Sequence, residues 1–165
     1  MLPTSRILFP ILLLFLASCG GAEPRAPAAP PLLNLPPLAG EPRAVVDAAL
    51  GAPTSITPLK SVPEQMPGEF RDYQLPGAAD PVTVRFHRDR AVFFTVFLPE
   101  PEPSAEAALR RVGIEVTGSP DTRAPLGEWW RSGTFGGKHF VKVGALKGMG
   151  GGGGDGYDMV QVELQ

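Results

Sequence analysis

The chain has few of the side chains from which most catalytic sites are built. One cysteine and two histidines occur among 165 residues, so the chain cannot form an internal disulfide or a dense cysteine–histidine metal site. Basic residues are not in excess, because the formal net charge is −2 at pH 7, whereas nucleic-acid-binding domains carry a basic stripe. The sequence therefore predicts no cofactor and no nucleic-acid partner.

Motifs for a nucleophile or a phosphate are missing as well. No Gly-x-Ser-x-Gly elbow occurs, and no two acidic residues are placed as an acid–base couple. The glycine run 148–156 lacks the lysine and hydroxyl of a phosphate-binding loop, so we interpret it as a loose hairpin tip. One catalytic alternative stays open: a metal-dependent hydrolase in which His87 and His139 meet across strands, with Asp89 or Glu128 completing the site.

Apolar runs long enough to span a membrane are also absent, since residues 7–16 fall far short of the about 20 that a spanning helix needs. This run follows Arg6 and ends at the small residues Ala17 and Ser18. A charged start, a short apolar stretch and small residues at a cleavage point are typical of a secretory signal. The sequence therefore predicts a signal peptide over residues 1–18.

The end of this signal, Leu16-Ala17-Ser18-Cys19, resembles the lipobox of bacterial lipoproteins. The resemblance implies cleavage before Cys19, a diacylglyceryl group on its thiol and an acyl chain such as palmitate on its amino group. In Gram-negative lipoproteins an aspartate after the cysteine commonly signals retention in the inner membrane. Because Gly20 stands there, the resemblance favours an outer-membrane anchor with the rest of the chain facing the periplasm.

Residues 19–40 are predicted to form a lipidated tether rich in proline and alanine. Proline removes backbone donors and favours the extended polyproline II conformation. Four leucines are interleaved with the prolines, and a solvated spacer has little use for them: Leu32, Leu33, Leu35 and Leu38. We expect them to dock on the folded domain, and the alternative is a proline-rich ligand for a partner's groove.

Residues 41–165 are predicted to form an α+β domain made of two similar units, 41–98 and 104–165. Each unit begins with a short amphipathic helix that a glycine ends, Gly51 in the first unit and Gly113 in the second. Three strands follow each helix, at 70–75, 81–87 and 91–98 and at 127–132, 138–146 and 157–164. Two helix-plus-three-strand units would form one antiparallel sheet with two short helices on one face.

The first unit resembles two related groups of proteins. The residues that carry the resemblance are the helix and stop Val45-Val46-Asp47-Ala48-Ala49-Leu50-Gly51-Ala52-Pro53, the strand with Tyr73 and the hairpin 82–98. They are similar to the SmpA/OmlA-type outer-membrane lipoproteins that accompany the barrel-assembly machinery, and to the tandem-repeat inhibitor of β-lactamases. Both groups work by binding proteins, so the resemblance implies an interaction module without catalysis.

Aromatic residues give the prediction for the binding site. If the helices cover one sheet face, Phe93 and Phe97 point to the other, where Tyr73 and one of Trp129 or Trp130 would join them. Exposed aromatic patches mark interaction sites. The alternative is that the leucine-rich tether or the loop 54–68 covers these side chains.

The sequence thus predicts a lipid-anchored lipoprotein of the bacterial cell envelope. Its membrane contact would be the lipid on Cys19, and its domain would bind or scaffold an envelope protein without catalysis. Two alternatives remain open, the metal-dependent hydrolase with His87 and His139 and a carrier of a small ligand.

Overall fold

A computed structural model describes residues 30–59, 68–149 and 155–164, and in this part of the chain one eight-stranded antiparallel sheet dominates. Its strands are β1 (Ser55–Leu59), β2 (Gly68–Tyr73), β3 (Val82–His87), β4 (Arg90–Glu102), β5 (Thr122–Ala124), β6 (Gly127–Phe135), β7 (Lys138–Lys147) and β8 (Tyr157–Glu163). Two helices, α1 (Arg43–Leu50) and α2 (Ala105–Arg111), and one 3-10 turn (Pro36–Leu38) accompany it.

The sheet consists of two meanders that meet in the middle. Its strand order is β1-β2-β3-β4-β8-β7-β6-β5, so each half of the chain contributes four consecutive strands, and β4 pairs with β8 between them. At 13 residues, β4 is the longest strand. Its apolar side chains alternate onto both faces, as expected for a central strand, and its predicted central position is confirmed.

The α+β prediction with two helix-plus-three-strand units is wrong. The helices have only 8 and 7 residues, so the described chain is mainly β, and each half supplies four strands instead of three. The prediction missed β1, inside the supposed loop 54–68, and β5, just before Pro125. Neither strand has an apolar alternation of its own, because β1 is almost wholly exposed and β5 has only three residues. Pairing with β2 and β6 holds them in the sheet.

The ends of both helices follow from local chemistry, and both predicted helices are confirmed. Helix α1 starts after Pro42 and ends at Gly51, whose φ of 91° is reached most easily by glycine. At the start of α2 the Ser104 hydroxyl accepts a hydrogen bond from the backbone N–H of Ala107 at 3.2 Å. Arg110 and Arg111 occupy its last turn, where the helix dipole favours cations.

The leucine-rich segment docks on the domain, as predicted. Leu35 is 0% exposed and Leu38 is 6% exposed. The backbone N–H of Leu32 donates to the carbonyl of Arg111 at 2.7 Å, and that of Leu35 donates to Val112 at 3.0 Å. These bonds satisfy carbonyls that the end of α2 would otherwise leave open. The packed part of the chain therefore begins upstream of residue 41, where the sequence analysis places the start of the domain.

One hydrophobic core lies between the helices and a single face of the sheet. Val46 of α1 and Leu109 of α2 belong to the same cluster as the inward side chains of the central strands, and all are fully buried. These strand residues include Val84, Phe86, Phe94, Val96, Val160 and Val162. The opposite sheet face carries the alternate residues, and it is the candidate site.

Candidate functional site

Strand alternation produces a second sheet face, on the side away from α1 and α2. We call it the open face, because no helix of the described residues packs on it. Cross-strand register aligns its side chains in rows that run perpendicular to the strands. The first row contains Arg85, Phe93, Glu163, Lys142 and Arg131. The second contains Thr83, Thr95, Gln161, Gly144 and Trp129, and the third contains Phe97, Met159 and Leu146.

Three of the five predicted binding residues share the open face. Phe93 and Phe97 lie on it two residues apart in β4, and Trp129 lies on it in β6. All three are partly exposed. Met159, beside Phe97, is only 3% exposed and belongs to no part of the core under the helices. The third row of the open face is therefore apolar, whereas its first row contains both apolar and charged side chains.

The other two predicted residues lie on the opposite side of the sheet. Tyr73 is 0% exposed, and its hydroxyl donates to the Asp47 carboxylate at 2.7 Å. Trp130 is 6% exposed, and its indole N–H donates to the Gly118 carbonyl at 3.3 Å. The exposed patch therefore does not include them. Adjacent residues of a strand point to opposite faces, so of the two tryptophans only Trp129 reaches the open face.

A glycine positions Trp129. Gly144 stands directly opposite Trp129 in the β6–β7 pair, and a Cβ placed on Gly144 would collide with the indole. The ring therefore lies over the bare backbone of β7, a common use of glycine inside a strand. The Lys142 Nζ lies over the ring, 5.4 Å from its centroid. The indole therefore contacts a glycine backbone and a cation.

A shallow depression lies beside this tryptophan. It is lined by Phe93, Trp129, Lys142, Gln161, Val162 and Glu163, and its volume is about 20 Å³. That volume holds about one water molecule, so the depression is too small for a small-molecule ligand, whose pockets usually measure about 300–1,000 Å³. Sequence reasoning missed Lys142, Gln161 and Glu163 here, although the alternation of β8 already placed Gln161 and Glu163 on one face with Met159.

Two buried donors of the open face lack hydrogen-bond partners within the described residues. Arg85 Nε and Trp129 Nε1 are buried and have no hydrogen-bond acceptor there. Within the same residues, no ion pair involves Arg85, Lys142 or Glu163. A buried donor without an acceptor is costly. The described part of the chain thus leaves on this face a set of donors and charges that an external partner could satisfy.

More of the polar groups are paired on the helix side of the sheet, although Arg111 Nε of α2 is also buried without a partner among the described residues. Asp47 of α1 accepts hydrogen bonds from Tyr73 and, at 2.7 Å, from Arg71 Nη1, while Arg71 Nε donates to Glu69 at 2.7 Å. Burial and the Asp47 hydrogen bond raise the pKa of Tyr73 above its usual range. Burial works against the positive charge of Arg71, but Asp47 and Glu69 outweigh it and raise the pKa of Arg71. This network holds α1 on the sheet.

The two histidines of the hydrolase alternative do not meet. His87 ends β3 and His139 lies near the start of β7, with β4 and β8 between their strands. Three strand spacings separate them, about 14 Å at about 4.8 Å per spacing. Among the residues that the structure describes, no group of three or more histidine, cysteine, aspartate or glutamate side chains could hold a metal ion.

Two other sequence features lie outside the described residues, namely Cys19 with the signal that precedes it and the run 150–154 inside the glycine-rich loop. In the ranges that are described, no helix has both the length and the apolar character to cross a bilayer.

In its described residues the chain is mainly β, with one sheet face on which no described helix packs. Comparison of the chain with protein-family models, with curated proteins and with solved structures finds no match. The likeness to SmpA/OmlA-type lipoproteins and to the lactamase inhibitor therefore stays a prediction.

Proposed function

We propose that this chain is a lipid-anchored lipoprotein of the bacterial cell envelope and that it binds a protein partner without catalysis. The lipobox-like motif that ends at Cys19 supports the anchor. The tether would carry the domain away from the outer membrane on its periplasmic side. The binding surface is the open face, with Phe93, Phe97 and Trp129 as its aromatic anchors.

One observation carries this proposal, namely the contrast between the two faces of the sheet. On the helix side, Arg71 and the Tyr73 hydroxyl have partners of opposite charge or acceptor character. On the open face, Trp129 Nε1 is buried without an acceptor among the described residues, beside partly exposed aromatics. Aromatic side chains that combine an apolar ring with a free donor are the usual anchors of protein interfaces.

Capture of envelope proteins by the purified, lipidated chain tests the proposal. The double variant Phe93→Ala/Trp129→Ala should lose the proteins that the native chain retains. The matched control is Ile56→Ala/Leu126→Ala, which removes two side chains that are 51% and 62% exposed but lie off the open face. The control variant should still retain the captured proteins. Equal retention by both double variants, with both folded by circular dichroism, would contradict the proposal.

A further inference from the structure

Two like charges stand opposite each other on the open face. Arg131 of β6 and Lys142 of β7 are direct cross-strand partners, and like charges in that position repel. Glu163 is the cross-strand neighbour of Lys142 on its other side, yet the two form no ion pair, and Lys142 extends over Trp129 instead. No described carboxylate forms an ion pair with either cation.

Arg85 adds a third cation to the same row, beyond Phe93. Glu163 is the carboxylate of this row, Asp72 beside the second row accepts a hydrogen bond from the Thr83 hydroxyl at 2.7 Å, and Asp121 at the sheet edge accepts one from the backbone N–H of Arg131 at 2.6 Å. The rows of the open face therefore contain more cations than carboxylates, although the whole chain has a formal charge of −2. A surface whose charge has the opposite sign to that of its protein selects partners by charge.

We propose that the partner presents an acidic polypeptide segment to the open face. One of its carboxylates would bind between Arg131 and Lys142 and relieve their repulsion. A neighbouring apolar side chain would pack on the partly exposed rings of Phe93 and Trp129. This proposal rests on the binding role proposed above and specifies the chemistry of the partner.

Other occupants fit the face less well. A second copy of the chain would bring one positive face against another. The segment 20–29 of this chain has Glu23 as its only acidic residue, with Arg25 two positions away. A lipid surface takes apolar side chains that protrude, but the strongly exposed large apolar residues are Val45, Ile56, Leu126 and Met149, and none of them belongs to the rows of the open face.

Glu163 makes the proposal sharply testable. It lines the depression beside Lys142, so its carboxylate repels an acidic partner and attracts a basic one. Glu163→Gln should therefore tighten the binding of an acidic segment, whereas Lys142→Gln/Arg131→Gln should weaken it. For a basic partner both effects would be reversed: Glu163→Gln would weaken binding, and Lys142→Gln/Arg131→Gln would tighten it.

The experiment uses the mature lipidated chain in phosphatidylcholine nanodiscs. The probes are a random copolymer of glutamate and leucine, a copolymer of lysine and leucine, and nanodiscs in which phosphatidylglycerol replaces part of the lipid. Acrylamide quenching of tryptophan fluorescence reports on the open face, because Trp130 is buried and Trp129 is partly exposed. Protection of Trp129 marks an occupied open face.

We expect the acidic copolymer to protect Trp129, with an affinity that falls about tenfold in Lys142→Gln/Arg131→Gln and rises about twofold in Glu163→Gln. The matched control Arg88→Gln/Arg110→Gln removes two exposed cations that form no ion pair within the described residues. It should change the affinity less than twofold.

Three outcomes would overturn this proposal. The first is protection by the basic copolymer with opposite signs for the variants, and the second is protection by phosphatidylglycerol alone. The third is protection by neither copolymer. If the capture experiment still depends on Phe93 and Trp129 in any of these cases, the acidic partner is wrong and the binding face stands. If capture does not depend on them, the proposed function itself fails.

Discussion

At the scale of single residues, the two faces of β4 differ in what they contribute to stability. Phe94 is fully buried under the helices, whereas Phe93 and Phe97 are partly exposed on the open face. The same amino acid in adjacent positions thus provides an internal comparison. Because all three residues are phenylalanine, comparing them separates the stability that comes from core packing from the function of a ring at the surface.

We predict that Phe94→Ala lowers the free energy of unfolding by about 3–5 kcal/mol, the usual cost of truncating a buried phenylalanine. Phe93→Ala and Phe97→Ala should each cost clearly less, since part of each ring already contacts water. Urea unfolding followed by circular dichroism measures all three. Equal losses would mean that the rings of Phe93 and Phe97 are structural, and the open face would lose two of its anchors.

A second residue-scale prediction concerns Gly144. Gly144→Ala should destabilise the protein by about 1–3 kcal/mol, because the new methyl group collides with the Trp129 indole. The indole should shift, and its fluorescence should change. In a Trp129→Ala background the same substitution should be nearly neutral. A penalty that persists without the tryptophan would show that the glycine is needed for the backbone and not for the ring.

At the scale of elements, the segment around the 3-10 turn is part of the core. Leu35→Ala should lower the free energy of unfolding by about 2–5 kcal/mol, since Leu35 is 0% exposed. Leu126→Ala, at a side chain that is 62% exposed, should change it by less than about 0.5 kcal/mol. Thermal and urea unfolding of both variants checks this. A neutral Leu35→Ala would mean that the docked segment adds no stability.

The attachment of α1 should weaken in acid. Burial alone would raise the pKa of Glu69, but the hydrogen bonds from Arg71 and Arg43 outweigh it, and the pKa lies below the ordinary value of 4.5. A carboxyl whose pKa is lower in the folded state stabilises the fold above its unfolded pKa. That stability declines as the pH falls below about 4.5 and is gone below the folded pKa.

The check is urea unfolding of the native chain and of Glu69→Gln at pH 6 and pH 3.5. The native chain should lose more stability between the two values than the variant, whose residue 69 does not titrate. A native chain and a variant with the same pH dependence would exclude this role for Glu69.

The sequence predicted correctly those elements whose own residues contain a recognisable signal. Both helices have their own stop signals at Gly51 and Gly113, and β4 has its own apolar alternation, so all three were found. By contrast, β1 contains Pro58 and is almost wholly exposed, and it exists through its register with β2. Because the prediction missed β1 and β5, it gave the two helices too much weight and assigned the fold class as α+β.

The candidate site was predictable in part for the same reason. Alternation in β4 gave the direction of Phe93 and Phe97 correctly, because the core side of that strand is clear from the sequence. Tyr73 could not be oriented, since the residues of β2 are mixed in character and the register with Val82 decides its face. The sequence also could not show that Arg131 and Lys142 are neighbours, which depends on pairing between two strands.

At the scale of the whole molecule, we predict that Cys19→Ser abolishes attachment to the membrane. Two or three acyl chains hold a protein firmly, at about 0.8 kcal/mol per buried methylene group. The serine variant lacks the thiol that receives the lipid, so its signal should stay uncleaved by the lipoprotein peptidase. Labelling with radioactive palmitate measures lipidation, membrane fractionation after a salt wash measures attachment, and the mass of the chain measures signal cleavage. Palmitate on the serine variant would refute the lipobox assignment.

The central claim is that the open face, and not the helix side, contacts the partner. Site-specific photocrosslinking in living cells tests it most directly, with benzoylphenylalanine placed at Gln161 on the open face or at the exposed Arg110 of α2. We predict a crosslinked protein from position 161 that disappears when Trp129→Ala is added, and none from position 110. A crosslink from position 110 with none from position 161 would contradict the account.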